Sequence, residues 1–147
     1  MIEILFNNQN YVISGIYKHP KVCRNVLIKA ITDQMKNISC KTNYILAGDL
    51  NIDFLAYSEN IQIRDFFDKL CCKNLFQLIN SPTRITQNTN SLIDHIYFRA
   101  AKTAGVKTGI FLNSIRDHLC VFIRINSKLR LNLKDRPHKR IMSERNI

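Results

Sequence analysis

The feature that most constrains the fold is the alternation of many short apolar segments with two longer amphipathic ones. Short apolar runs bounded by Asn, Pro, Ser, Thr and Gly are typical of β-strands. We expect strands at residues 2–6, 11–17, 44–48, 75–79, 83–86, 92–98, 106–111 and 119–125, and helices at about 22–36 and 59–72. This order predicts mixed β-sheets covered by helices, an α/β (α+β) fold.

Apolar residues at helical spacing define the inner faces of the two expected helices. In the first helix these are Val22, Val26, Ala30 and Ile31. In the second they are Ile63, Phe66, Phe67 and Leu70, while the charged residues fall on the other side.

Charge is the most unusual property of the composition, and it limits the class of partner. The 147 residues carry 22 Lys and Arg against 11 Asp and Glu, a net charge of +11. A balance of this kind favours a polyanion, and nucleic acid first among polyanions. Much of the excess lies near the end, so we expect a domain at 1–126 and a basic tail or connector at 127–147.

Several classes of protein are excluded by what the sequence lacks. No apolar run approaches the roughly 20 residues of a membrane span, so we expect no membrane partner. The first residues have neither a basic start nor a cleavage site of small residues, and the five cysteines match neither a disulfide framework nor a zinc finger. We therefore expect an intracellular protein with free thiols.

An acid and an amide follow the expected strand at 44–48. Asp49 and Asn51 stand two residues apart in Gly48-Asp49-Leu50-Asn51, on a loop that leaves a buried strand. Such a pair can bind a hard cation or accept a proton, although an Asx-turn would use the same residues. Asp53 extends the pattern towards a calcium loop, but Phe54 occupies the position that must turn on glycine.

Two further acids occur at or inside later strands, each followed by a histidine. Alternation along the strand places Asp94 on the face of Leu92 and Ile96, and His95 on the opposite face. A buried carboxylate there could orient an imidazole, although a surface acid is the simpler alternative. Asp117 and His118 precede the last strand, where they could reach a cleft or form a solvated turn.

The three pairs together suit metal-assisted hydrolysis of a phosphodiester. One group activates water, a divalent ion neutralises phosphate charge, and an imidazole stabilises the transition state. The sequence contains neither a Ser or Cys nucleophile motif nor a glycine-rich phosphate loop.

Five segments in order resemble the endonuclease/exonuclease/phosphatase superfamily, and within it the apurinic-like endonuclease domains of non-LTR (LINE-type, jockey-like) retrotransposons. These segments are SGIYKHP at 14–20, YILAGDLNID at 44–53, SPTRIT at 81–86, SLIDHI at 91–96 and RDHL at 116–119. The resemblance implies a four-layer α/β sandwich of the DNase I-like type. It also implies an endonuclease-type hydrolase that nicks DNA with Mg²⁺ or Mn²⁺, in the nucleus, with a reverse transcriptase domain as a possible partner in the parent polyprotein.

Site roles follow from the same resemblance. It implies that Asp49 acts at the water nucleophile, that Asn51 holds the water or the phosphate, and that Asp94 orients His118. The remaining implied roles are a phosphate hydrogen bond from Tyr17, a metal contact at Asp117, and DNA contacts at Thr83, Arg84 and Lys18.

The sequence departs from the family pattern at three places. Arg116 stands where a Ser is usual, and Lys18 where an Arg is usual, which keeps the charge but not the bidentate fork. The Asn and Glu that bind the family's metal have no counterpart before Tyr17, so we expect an N-terminally truncated domain that binds metal weakly and cuts slowly or not at all. The alternatives are a non-catalytic nucleic-acid-binding remnant and a phosphodiesterase with another substrate.

Overall fold

A five-stranded mixed sheet forms the centre of the computed structural model, which describes residues 1–101, 105–112 and 117–126. The helices are α1 (Arg24–Lys36) and α2 (Ile61–Cys71), with a short 3-10 helix at Phe54–Tyr57. The strands are β1 (Ile2–Phe6), β2 (Gln9–Gly15), β3 (Asn43–Asp49), β4 (Phe76–Gln77), β5 (Arg84–Ile85), β6 (Asn90–Ser91), β7 (Asp94–Arg99), β8 (Val106–Phe111) and β9 (Cys120–Ile125). The expected basic tail at 127–147 and Arg116 lie outside the described residues, so the boundary at 126 stays a prediction.

The main sheet has the strand order β1-β2-β3-β7-β4. Only β2 and β3 run parallel, and α1 forms the crossover between them. The other neighbours are antiparallel, and β5–β6 and β8–β9 form two separate hairpins. The mixed sheet predicted from the order of the elements is therefore confirmed.

The turn between β1 and β2 is tighter than the expected connection over residues 7–10. Phe6 pairs with Gln9, so the turn consists of Asn7 and Asn8 alone. Both have positive φ, 52° and 57°, as a type I′ turn requires. Asn tolerates this conformation better than most residues, which explains why a two-residue turn can form without glycine.

The two faces of the sheet pack against different layers. One face carries Tyr44, Leu46 and Tyr97, which pack with residues of both helices. The other carries Ile45, Ile96 and Phe98, which pack against the β8–β9 hairpin. The described ranges thus show a helix layer, the sheet and a second β layer, in the order that a DNase I-like sandwich predicts.

The inner face of α2 is the predicted one, whereas the predicted face of α1 is buried only at Ile31. Ile63, Phe66, Phe67 and Leu70 of α2 are all buried. In α1 the buried residues are Leu27 and Ile31, while Val26 and Ala30 are exposed, and Val22, also exposed, precedes the helix. The mixture of apolar and basic residues at the start of this helix is compatible with two different apolar faces. Packing against α2 and the sheet decides which of the two is buried. No helix in the described ranges is long and apolar enough to cross a membrane.

Candidate active site

Three strands bring the predicted site residues to one end of the main sheet. Asp49, the last residue of β3, pairs directly with Asp94, the first residue of β7. On the other side, the parallel pairing of β2 with β3 continues past Gly15, because the amide of Lys18 donates to the carbonyl of Asp49 at 2.9 Å. This register places Tyr17 beside Asp49, on the face that packs towards β8–β9.

Gly48 makes this close approach of the chains possible. Its φ is +150°, and a Cβ at this position would lie 1.7 Å from the carbonyl oxygen of Ile16. No side chain fits at that distance, so the residue before Asp49 has to be glycine.

Asp49 also shapes the loop that follows it. One of its carboxylate oxygens accepts a 2.8 Å hydrogen bond from the amide of Asn51, which is the Asx-turn considered from the sequence. Asn51 adopts a left-handed conformation with φ of 47°, and its amide group donates to the carbonyl of Lys18 at 2.9 Å. The side chain of Asn51 is therefore engaged with the backbone, and the carboxylate of Asp49 accepts only the one hydrogen bond from Asn51 among the described residues.

Asp94 and His118 form the acid-imidazole pair that the resemblance implies. His118 Nδ1 lies 3.0 Å and 3.3 Å from the two carboxylate oxygens of Asp94. Because a carboxylate only accepts hydrogen bonds, Nδ1 carries the proton and Nε2 faces away from Asp94. The side chain of Asp94 is 17% exposed and that of His118 is 38% exposed. The carboxylate is therefore mostly enclosed by the protein, while the imidazole is accessible from solvent.

A divalent cation fits the same cluster. Ligand atoms of Asp49, Asp94 and His118 lie within 4.8 Å of one another. Mg²⁺ binds oxygen ligands and is commonly held by one or two carboxylates together with substrate phosphates, which matches the two aspartates. The hydrogen bond between His118 Nδ1 and Asp94 engages both of these residues, so the carboxylate of Asp49 is the oxygen ligand of the cluster that this bond leaves free.

The metal contact that the resemblance implies at Asp117 stays a prediction, and in the structure this residue forms an ion pair. Its carboxylate accepts a 2.8 Å hydrogen bond from Arg84 Nε, and this bond lowers the pKa of Asp117. Among the described residues, the cluster able to hold a metal contains Asp49, Asp94 and His118, without Asp117. Asp117 therefore acts as the ion-pair partner of Arg84.

Thr83 also differs from its expected place near the DNA. The residue is fully buried, and its hydroxyl accepts hydrogen bonds from the amides of Ile93 at 3.2 Å and Asp94 at 3.0 Å. Its carbonyl accepts from the amide of Leu119 at 2.7 Å. Thr83 thus joins the segment of Asp94 to the segment of His118 and holds the pair in register.

Lys18 lies on the helix side of the sheet, since it alternates with Tyr17. It is 5% exposed, and its ammonium donates to the carbonyls of His19 and Pro20 at 3.2 Å and 3.3 Å. Burial lowers the pKa of Lys18, and the charge of Arg24 lowers it further. Lys18 is therefore close to the Asp49 loop but does not share the face of the Asp94–His118 pair.

Sequence reasoning missed the structural roles of His95 and Asp53. His95 is fully buried, donates from Nε2 to the carbonyl of Ile52 at 2.9 Å, and accepts at Nδ1 from Gln77 at 2.8 Å. Burial lowers its pKa to about 4, so the ring is neutral at pH 7. One oxygen of Asp53 accepts from the amide of Leu92 at 2.9 Å, so both residues fasten the loop after β3 to β7.

Comparison with known proteins identifies the class of fold. No protein-family model matches the sequence, and no curated protein matches it. An endonuclease/exonuclease/phosphatase family protein from Leptotrichia buccalis has a similar structure, with a TM-score of 0.63 and 16% identity over 85% of this chain and 52% of that one. This chain therefore has the endonuclease/exonuclease/phosphatase fold, as its sequence motifs predict.

Two further structures share this fold. The endonuclease domain of TRAS1, a telomere-specific non-LTR retrotransposon, has a TM-score of 0.69 and 15% identity over 84% of this chain and 59% of that one. A variant of Staphylococcus aureus beta toxin with bound magnesium ions has a TM-score of 0.54 and 15% identity over 82% of this chain and 51% of that one. The chain thus spans little more than half the length of these relatives in structure.

Proposed function

We propose that the chain hydrolyses phosphodiester bonds of DNA with Mg²⁺ or Mn²⁺ at the cluster of Asp49, Asp94 and His118. The observation that carries the proposal is the Asp94–His118 pair, in which His118 Nδ1 lies 3.0 Å from Asp94. The carboxylate of Asp49 lies beside this pair. Structural similarity to the TRAS1 endonuclease domain and the net charge of +11 support DNA as the substrate. We place the reaction in the nucleus, as one step of a retroelement that also encodes a reverse transcriptase.

Asp49 is the group that would accept the proton of the attacking water. One of its oxygens accepts from the amide of Asn51, and its carboxylate lies in the cluster with Asp94 and His118. As the water oxygen bonds to phosphorus, its proton passes to Asp49; the bond from phosphorus to the sugar oxygen of the leaving strand breaks, and that oxygen takes a proton from solvent. Asn51 contributes by fixing the turn, because its side chain is bonded to the backbone of Lys18.

His118 and Tyr17 would bind the phosphate. With Nδ1 held by Asp94, an imidazolium Nε2–H of His118 can donate to a phosphate oxygen as its negative charge grows. Tyr17 is 65% exposed and stands beside Asp49, where its hydroxyl can donate to the same phosphate. A divalent ion held at the cluster of Asp49, Asp94 and His118 would supply further neutralisation of that charge.

Nicking of supercoiled plasmid by the full chain tests the proposal. We expect slow conversion to the open circle that requires Mg²⁺ or Mn²⁺ and stops in Asp49→Asn and His118→Gln. Asp33→Asn is the matched control, because Asp33 is an exposed acid on α1 that pairs with Lys36 away from the site. Absence of nicking with either metal, or equal nicking by all variants, would reject hydrolysis and favour the binding-only alternative.

A further inference from the structure

A second cleft adjoins the proposed site on the helix side of the sheet. It has a volume of about 410 Å³ and lies between the first turns of α1 and α2 and the segment after β2. Lys18, Arg24, Gln62 and Asp65 line it, and Asn51 lines its end nearest the Asp49 loop. The resemblance implies a DNA contact at Lys18 but no role for Arg24 or Gln62, and the proposed reaction does not use the cleft between them.

The cleft carries positive charge that the protein neutralises only in part. Lys18 lines the cleft, and its ammonium donates two of its three N–H groups to carbonyls, which leaves one available to a ligand. Arg24 is held over the cleft by Gln62, whose side-chain oxygen accepts from its guanidinium at 3.3 Å. Asp65 is the acid in the lining, and it is engaged by Lys69 at 2.6 Å.

This arrangement is unfavourable in the absence of an anion. Arg24 is the first residue of α1, where the positive end of the helix dipole disfavours a cation. Lys18 has lost most of its hydration, and the nearby Arg24 repels it. Asp49 offsets part of the charge of Lys18 across the loop, but its carboxylate serves the proposed site. An anion in the cleft would offset both positive charges.

We infer that the Lys18–Arg24 cleft binds a phosphodiester group of the same nucleic-acid strand, next to the phosphate held at Asp49. Asn51 joins the two places, since its backbone amide bonds to Asp49 and its side chain bonds to the carbonyl of Lys18. The inference rests on the proposed function for the identity of the polymer. It adds a subsite that fixes the strand before the chemical step.

Cys23 offers a direct reporter of occupancy, because it is exposed and lines the cleft. Its alkylation rate can be followed by peptide mass spectrometry in EDTA, with a mixed-sequence single-stranded oligonucleotide or inorganic phosphate added. With oligonucleotide at ten times its Kd, we expect alkylation of Cys23 to slow about tenfold, as mass action requires for an occupied site. Cys40, an exposed thiol outside the cleft, should react at an unchanged rate.

Charge variants test whether the protection of Cys23 from alkylation comes from binding in the cleft. Arg24→Gln should remove the protection and lower the slope of log affinity against log salt by about 0.7, the value for one lost phosphate contact on a single strand. Lys29→Gln is the matched control, since it removes an equal charge from the exposed side of α1. Gln62→Glu places a carboxylate in the cleft and should have the same effect as Arg24→Gln. The inference therefore remains testable if one of the two variants does not fold.

The outcomes separate this inference from the proposed function. Unprotected Cys23 in the presence of bound oligonucleotide, or equal behaviour of Arg24→Gln and Lys29→Gln, would overturn the inference. Protection by inorganic phosphate without protection by the oligonucleotide would overturn the assignment to a strand. If Asp49→Asn abolishes plasmid nicking in either case, the proposed function stands although the subsite fails.

Discussion

Thr83 offers the sharpest test of how the fold holds the Asp94–His118 pair. Its buried hydroxyl accepts from two amides, those of Ile93 and Asp94, at the start of β7. Thr83→Val keeps the shape of the side chain but leaves both amides buried without an acceptor. Because an unsatisfied buried donor costs about 1–3 kcal/mol, the two together should lower the free energy of unfolding by roughly 2–6 kcal/mol.

Thr83→Ser is the control for this substitution. It keeps the hydroxyl and removes one methyl group, which should cost only about 1 kcal/mol. Urea unfolding followed by circular dichroism gives both values, and an unchanged m-value would show that the unfolded states are comparable. If Thr83→Val is no less stable than Thr83→Ser, the hydroxyl does not hold β7 and our account of Thr83 is wrong.

Two further predictions concern the support of the site. The pKa of His95 is about 4 in the folded chain and about 6.5 in the unfolded chain, so the unfolded state binds more protons between these two pH values. The free energy of unfolding should therefore fall by about 3 kcal/mol as the pH drops from 6.5 to 4. Urea unfolding measured across this range should show the fall in the wild type and a flatter profile in His95→Gln. Gly48→Ala should prevent folding or lower the free energy of unfolding by more than about 4 kcal/mol in thermal melting, because its Cβ would lie 1.7 Å from the Ile16 carbonyl oxygen. Gly15→Ala is the control and should melt close to the wild type, since a Cβ there has nothing within 4 Å. Similar melting temperatures of the two variants would contradict the argument.

The elements and the central residues of the site could be predicted because they depend on local pattern and on motif order. Alternation along 92–98 placed Asp94 and His95 on opposite faces, and both positions agree with the structure. The pairing of Asp94 with His118 was implied by the resemblance alone, since 24 residues separate them.

The roles that sequence reasoning missed depend on contacts between distant segments. Lys18 is buried because β2 continues along β3 and turns alternate residues towards the helices. Thr83 is buried because residues around 93 and 119 close over it, and Asp117 is occupied because Arg84 reaches it across the bridge between Arg84 and His118. No single segment carries a signal for such contacts, because exposure and partner are decided only when strands from separate parts of the chain pair.

Isotope incorporation tests the central claim most directly, namely that Asp49, Asp94 and His118 form one site that directs water onto a phosphodiester. The full chain would cut a defined DNA duplex in water enriched in ¹⁸O with Mg²⁺ or Mn²⁺, and the product phosphates would be weighed by mass spectrometry. We predict one ¹⁸O atom in the new terminal phosphate of each cut, and no cut product with Asp49→Asn or His118→Gln. Cut products without ¹⁸O, or labelled products that persist in both variants, would contradict the account.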